Sequence, residues 1–346
     1  MIDTTRNGLC DERVTLAHGG GGKAMHDLIH TVFTSVFRSE VQEDQARLYD
    51  AALGETGARL AFTTDSFVVA PVEFPGGDIG KIAFCGTVND LVVGGARPLW
   101  MSAAFIIEEG CEIALLQRIA GSMAAEAEKA GVRIVTGDTK VVERGSADKV
   151  FITTSGLGII PPGRDLSATR VRPGDVAIVS GVLGDHGAAI LAARGDMALS
   201  LDVVSDCASL GHLMEAALDA APNIRAARDA TRGGLASALN EIAAASGCGI
   251  ILDEQALPFR PEVKGVCEIL GLDPLYLANE GTLVLFAPPD EAAAAVAAMR
   301  GVQEGRGACI VGHTTGEHPG MVAMQTLFGG TRMVDMLTGE QLPRIC

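Results

Sequence analysis

Two kinds of apolar segment alternate along the chain. Short runs rich in β-branched residues predict strands at 59–64, 99–107, 132–136, 150–159 and 175–180, and later at 249–252, 282–286, 308–313 and 321–325. Longer stretches with helical spacing predict helices at 23–37, 78–93, 112–130, 185–193, 209–220, 233–245 and 290–299. Asp78 stands where the second of these needs an N-cap. The turn Pro161-Pro162-Gly163, followed by Arg172-Pro173-Gly174, marks a domain boundary. An α+β protein follows: two α/β domains at 1–165 and 166–337, then a flexible tail at 338–346. The chain shows no short-period repeat and no low-complexity tract.

With 346 residues, each half is large enough to bury its own core. Aromatics make up only 4% while Gly is abundant, which suits a close-packed α/β enzyme with glycine-rich turns. The net charge of −16 comes without a dense Lys/Arg stripe, and this disfavours nucleic acid and anionic membranes as partners. A nucleotide would arrive with metal ions bridging it to carboxylates. No stretch reaches the ~18 apolar residues of a membrane span, and the N-terminus has no apolar signal core. Eight scattered cysteines without a CxxC pair argue against a zinc site or a disulfide framework and point to a reducing cytoplasmic setting. Cys85, Cys111, Cys248 and Cys309 sit in apolar runs and read as core. Cys346 ends the chain, where burial is least expected.

Several motifs carry chemistry. Gly19, Gly20, Gly21 and Gly22 precede Lys23 at a predicted helix start, an arrangement that lets backbone approach an anion. It is not a P-loop, since Ala17 and Ala24 stand where that motif needs Gly and Ser or Thr; taken alone it also reads as a flexible entry loop. Asp50, Asp65, Asp90, Asp138 and Asp229 are dispersed aspartates which, if they converge, suit Mg-nucleotide. Asp90 lies in an otherwise apolar helix, where an unpaired carboxylate is costly. Asp78 and Asp90 are about 18 Å apart along that helix and do not share a metal. His26 and His30 share a helix face but lack a third ligand, and read as surface or packing residues. Lys140 follows Asp138 at a strand end, and Glu280 precedes another strand; each alone also reads as a structural ion pair. Past Pro343 the thiol of Cys346 ends a short extended arm that can carry it into a site.

These motifs run in a recognisable order: Leu-Ala-His-Gly-Gly-Gly-Gly-Lys-Ala-Met, Thr-Thr-Asp-Ser-Phe-Val-Val, Pro-Gly-Gly-Asp-Ile-Gly-Lys, Gly-Thr-Val-Asn-Asp-Leu and Gly-Asp-Thr-Lys-Val-Val. Asp-Ala-Thr-Arg-Gly-Gly-Leu, Ala-Asn-Glu-Gly and the terminal Pro-Arg-Ile-Cys follow. Together they resemble the HypE family of hydrogenase-maturation carbamoyl dehydratases, within the superfamily of aminoimidazole ribonucleotide synthetase (PurM) and selenophosphate synthetase. The resemblance covers nearly the whole chain. It implies two PurM-type α/β domains, an N-terminal sheet that pairs across a homodimer, and ATP with Mg²⁺ between the domains.

The resemblance also implies that a partner, HypF, loads a carbamoyl group onto Cys346, and that ATP drives its dehydration to a thiocyanate. The cyano group then passes to iron held by HypC and HypD. By motif position, Gly19, Gly20, Gly21, Gly22, Lys23, Asp65, Asn89, Asp90, Asp138, Asp229, Arg232 and Gly233 contact ATP. Asp50, Asp65, Asp90 and Asp229 hold Mg²⁺, while Lys140 and Glu280 surround the carbamoyl group. Two rivals stand beside this reading. One is another superfamily enzyme, such as a selenophosphate synthetase or a small-molecule kinase; the selenium enzyme expects a reactive Cys beside the Gly-Lys loop, and Cys10 lacks that setting. The other is a non-catalytic thiol carrier.

Overall fold

The computed structural model describes residues 22–28, 47–49, 57–195, 202–339, 342 and 344–346. The first half holds strands β1 (Arg47–Tyr49) and β2 (Arg59–Phe67), a short ribbon of β3 (Glu73–Phe74) and β4 (Gly77–Asp78), and then β5 (Arg97–Glu108), β6 (Arg133–Val142) and β7 (Val150–Ile160). Apart from the ribbon they form a five-stranded sheet in the order β1-β2-β7-β5-β6. The second half holds β8 (Val176–Val179), β9 (Ala226–Asp229), β10 (Gly249–Asp253), β11 (Leu283–Ala287), β12 (Cys309–Thr315), β13 (Val322–Gln325) and β14 (Thr331–Met333). Their order is β14-β13-β10-β12-β8-β11-β9.

The first sheet has two unlike faces, as strand alternation requires. Along β7, Val150, Ile152, Thr154, Gly156, Gly158 and Ile160 are buried, and the residues between them are not. The buried face is covered by the helix Ile79–Val93, which comes so close that a Cβ on Gly156 would lie 2.9 Å from Leu91 and Thr87. Only glycine fits there. That helix is capped by Asp78, whose carboxylate accepts from Lys81 N–H at 2.9 Å. All its residues except Lys81 and Asp90 are buried, because it packs on the sheet from one side and on the second domain from the other. The opposite face of the sheet leaves Phe62, Trp100 and Ile106 exposed, and β6 forms its edge with Ile134, Val135 and Val141 exposed.

The strongly periodic segments fold as their pattern predicts, within a residue or two at most ends. The expectations omit β9, a four-residue strand containing Arg228 and Asp229, and the helix Pro261–Leu270, although its Val263, Val266 and Cys267 follow a helical spacing and are buried. Residues 133–142 form one strand, so Asp138 and Lys140 lie within it and not at its end. Among the described residues no helix is long and apolar enough to cross a membrane. None of the described cysteines is in a disulfide.

Candidate active site

The site begins with the inward face of β2. Asp65 pairs in register with Thr154, whose hydroxyl donates to the Ala83 carbonyl of the covering helix at 3.1 Å, so Asp65 points under that helix. Asp90 comes down from the helix, and its Oδ2 accepts from the Thr63 hydroxyl at 2.8 Å. From the second domain, β9 ends at Asp229 beside β11, with Arg232 just beyond. Glu280 precedes β11 and is only 2% exposed. Its segment is fixed by Asp206, which accepts from the Glu280 and Gly281 N–H groups at 2.9 and 3.0 Å and from the Thr282 hydroxyl at 3.1 Å.

The electrostatics show how closely these groups crowd. Burial holds the Asp90 carboxyl well above its usual range, and the nearby Asp229 and Asp65 raise it further, against a hydrogen bond from Thr63. Burial also raises Asp65, and Arg232 opposes it. Glu280 is pushed well up by burial, then by Cys207, Asp229, Asp206 and Asp65. Its Oε1 is buried with no hydrogen-bond partner.

The chain's end enters this cleft. Val68 N–H donates to the Cys346 carbonyl at 3.0 Å and Ala70 N–H to the Arg344 carbonyl at 3.1 Å, so the tail lies along residues 68–70. Arg344 donates from Nε to the Val68 carbonyl at 3.1 Å and pairs with Asp148 at 2.5 Å. Ile345 is buried and Cys346 packs partly buried against the core. Burial pushes the Cys346 thiol up; Arg232 acts against that, while Glu280, Asp65 and Asp229 add to it.

Asp65, Asp90, Asp229, Arg232, Glu280 and Cys346 are brought together. Gly19, Gly20, Gly21 and Asp50 lie outside the described residues. Gly22 abuts the Leu337 carbonyl, which a Cβ there would approach to 2.1 Å, and the Lys23 N–H donates to that carbonyl at 3.2 Å. The end of the tail expected to be flexible is docked in this structure, because residues 68–70 offer it two N–H groups and the cleft buries Ile345.

Asn89 is a cross-brace between domains: it donates to the Ala208 carbonyl at 3.0 Å and accepts from Leu210 N–H at 2.8 Å. Gly233 serves the turn into the helix Gly234–Ser246 with φ 75°.

Asp138 and Lys140 require a correction. They pair with Ala104 and Ile106 of β5 and so point to the open face, opposite Asp65. They are exposed and bond to each other at 2.6 Å. The β6 register position level with Asp65 is three strand spacings away, about 14 Å. Within one chain they do not join the cleft.

Asp65 and Asp90 of the first domain and Asp229 of the second, with an unpartnered Glu280 oxygen beside them, form a set of hard oxygen donors that suits a divalent cation. Among the described residues no three such side chains already stand at ligating distance. Sequence reasoning missed Asp206, which positions Glu280, and His186, which contacts the tail; each is one polar residue in an ordinary segment, and only Gly184-Asp185-His186-Gly187 stands out as a small-residue turn.

Residues 43–160 match the family model described as AIR synthase related protein, N-terminal domain, and 172–324 match that of its C-terminal domain. The chain is similar to the carbamoyl dehydratase HypE of Rhodobacter capsulatus, 74% identical over 338 residues that cover 98% of this chain and 99% of the relative. Its fold is similar to HypE in a HypE–HypF complex, with TM-score 0.84, 43% identity, and coverage of 90% of this chain and 99% of the other. It is likewise similar to HypE in complex with ATP, with TM-score 0.80, 45% identity, and coverage of 96% and 100%. An acidic interdomain cleft that holds the chain's own terminal thiol, on two AIR-synthase-related domains, and this identity over nearly its whole length show that the chain belongs to the HypE family of carbamoyl dehydratases.

Proposed function

We propose that this chain dehydrates a carbamoyl group carried on the sulfur of its own Cys346 to a thiocyanate, using ATP. The observation that carries the reading is the terminal thiol lying among Arg232, Glu280, Asp65 and Asp229. The carbamoyl oxygen leaves, both N–H protons are lost, and S–C(=O)–NH₂ becomes S–C≡N. Oxygen on an amide carbon is a poor leaving group, and ATP supplies the phosphoryl group that makes it a good one. Asp65, Asp90 and Asp229 would hold Mg²⁺, which would offset the charge of the nucleotide.

The chain's own residues do the rest. Residues 68–70 and the tail form a short ladder that fixes the reacting group in the cleft and keeps water from it. Arg232 lies beside the sulfur and stabilises the negative charge that builds on the departing oxygen. Glu280 has its carboxyl raised toward neutrality, so its ionised form is a strong base, and its unpartnered Oε1 can take a proton from nitrogen.

Lys140 reaches this chemistry only from another copy, because it points away from its own cleft. The open face of the first sheet, with Phe62, Trp100 and Ile106, and its β6 edge form the surface on which a second copy pairs. A HypF-type protein loads the thiol, as the complex of a related HypE with HypF supports, and a HypC–HypD-type acceptor removes the cyano group.

Intact mass tests the reading. After incubation with the carbamoylating partner and then Mg-ATP, the tail adduct should lose about 18 Da, one water, as a covalent intermediate on the chain. An adduct that keeps its mass while ATP is consumed would sink it.

A further inference from the structure

His186 is completely buried in the first turn of the helix Asp185–Arg194, and both ring nitrogens are engaged. Nε2 lies 2.8 Å from the carbonyl oxygen of Ile345, and Nδ1 lies 2.8 Å from the Ser205 hydroxyl. A carbonyl only accepts, so Nε2 carries the proton and Nδ1 accepts from Ser205. Ser205 Oγ in turn accepts from the Cys207 N–H at 3.1 Å. Phe74 meets the ring edge-on, with centroids 5.5 Å apart and planes at 86°. The ring is therefore held in place and its N–H is aimed at the tail.

The same helix grips the tail a second time. Arg194 lies eight residues on, two turns along the same face, and donates to the Arg344 carbonyl at 3.0 Å and to the Ala70 carbonyl at 3.0 Å. Two successive tail carbonyls, Arg344 and Ile345, are thus held by one helix, while Ala70 N–H shares the Arg344 carbonyl and Val68 N–H holds the Cys346 oxygen. The Arg344 backbone sits at φ 54°, a conformation that L residues adopt at a cost, and these contacts offset it.

We propose that His186 is a positioning residue that clamps the tail through the Ile345 carbonyl, and with Arg194 sets how much of the time Cys346 spends in the cleft. When the tail swings out, the buried Nε2–H loses its acceptor, which disfavours the undocked state. The consequence for catalysis rests on Cys346 being the carrier of the reacting group; the docking itself does not.

The test is the rate at which a maleimide alkylates Cys346 in the full chain, with the site assigned by mass. His186→Ala should raise that rate about tenfold, the size expected when one buried hydrogen bond is lost. His186→Gln, which keeps an N–H in place of Nε2, should restore most of the protection. Alkylation of His186→Ala at the wild-type rate overturns the proposal.

Thermal stability of His186→Ala, with and without deletion of residues 344–346, separates a clamp from a merely structural histidine. The loss should shrink when the tail is absent, and an equal loss in both backgrounds overturns the proposal. In single turnover of preloaded protein, His186→Ala should slow dehydration and leave loading by the partner unchanged. If wild-type protein never dehydrates the adduct while the alkylation contrast holds, the proposed reaction fails and the clamp stands.

Discussion

Arg232 is the cation beside the Cys346 sulfur: it acts against the burial and the Glu280, Asp65 and Asp229 charges that push the thiol up. Without it the sulfur would sit among Glu280, Asp65 and Asp229 alone. In the proposed reaction the tail is loaded outside the cleft, so Arg232→Met should accept a carbamoyl group from the partner normally. Dehydration of the loaded tail should slow by about 10²-fold, as for loss of one charge-stabilising donor. Single-turnover mass analysis checks both halves; slowed loading with normal dehydration would contradict the assignment.

Glu280 gives a pH dependence with a definite sign. Its carboxyl is raised well above 4.5, so it keeps its proton at pH values where an ordinary glutamate has lost it. As a base it works only after that proton leaves. The wild-type dehydration rate should rise with pH through a step above the ordinary carboxylate range. Glu280→Gln should be slower by roughly 10²-fold and should lack the step. A step that persists in Glu280→Gln would belong to another group.

Asp90 links stability to function. Because burial, Asp229 and Asp65 raise its pKa, the folded protein binds this proton more tightly than the unfolded chain. Stability is therefore lost as pH rises through the raised value, and a carboxylate crowded at this position works against the ligand-free fold. Asp90→Asn should raise the ligand-free Tm at pH 7 by roughly 2 °C per kcal/mol of repulsion relieved. The gain should fade as pH falls toward 3.8, where the unfolded carboxyl also holds its proton. Stabilisation by Mg-ATP, read as a shift in Tm, should be largely lost in the variant. A variant less stable at pH 7 than at pH 4, relative to wild type, would show that the crowding is not repulsive.

Most of the fold was legible because strands such as β7 alternate buried and open positions and the helix Ile79–Val93 is apolar almost throughout. The cleft was half legible. Asp90 stood out as a charge in an apolar helix, and Glu280 and Cys346 by their small-residue or terminal settings. The facing of β6 was not legible, since it depends on the register with β5, which shifts between Met101 and Ser102. That shift decides which side Asp138 and Lys140 occupy. The part Asn89 plays as a cross-domain brace was not legible either, because its partners Ala208 and Leu210 lie far along the chain. The docked tail depended on free N–H groups at Val68 and Ala70, and spacing alone does not reveal those.

The position of Lys140 leads to the last prediction. Lys140 shares the open face of the sheet with Asp138 and Ile106, three strands from the level of Asp65 and on the other side. If it takes part in dehydration, it acts on the thiol of a second copy that covers this face. Lys140→Ala and Glu280→Ala should each be nearly inactive as homodimers. When the two are mixed and allowed to exchange subunits, mixed dimers hold one cleft with both defects and one with neither. Random exchange makes half of the dimers mixed, so about a quarter of all clefts are intact and about a quarter of the wild-type rate should return, a geometric consequence of a two-fold interface. Single-turnover dehydration in the mixture, against each variant alone, is the measurement. With Lys140 acting in its own subunit, mixing restores nothing, because every cleft keeps one defect. A Lys140→Ala homodimer with the wild-type rate would remove the residue from the chemistry and leave it as the partner of Asp138.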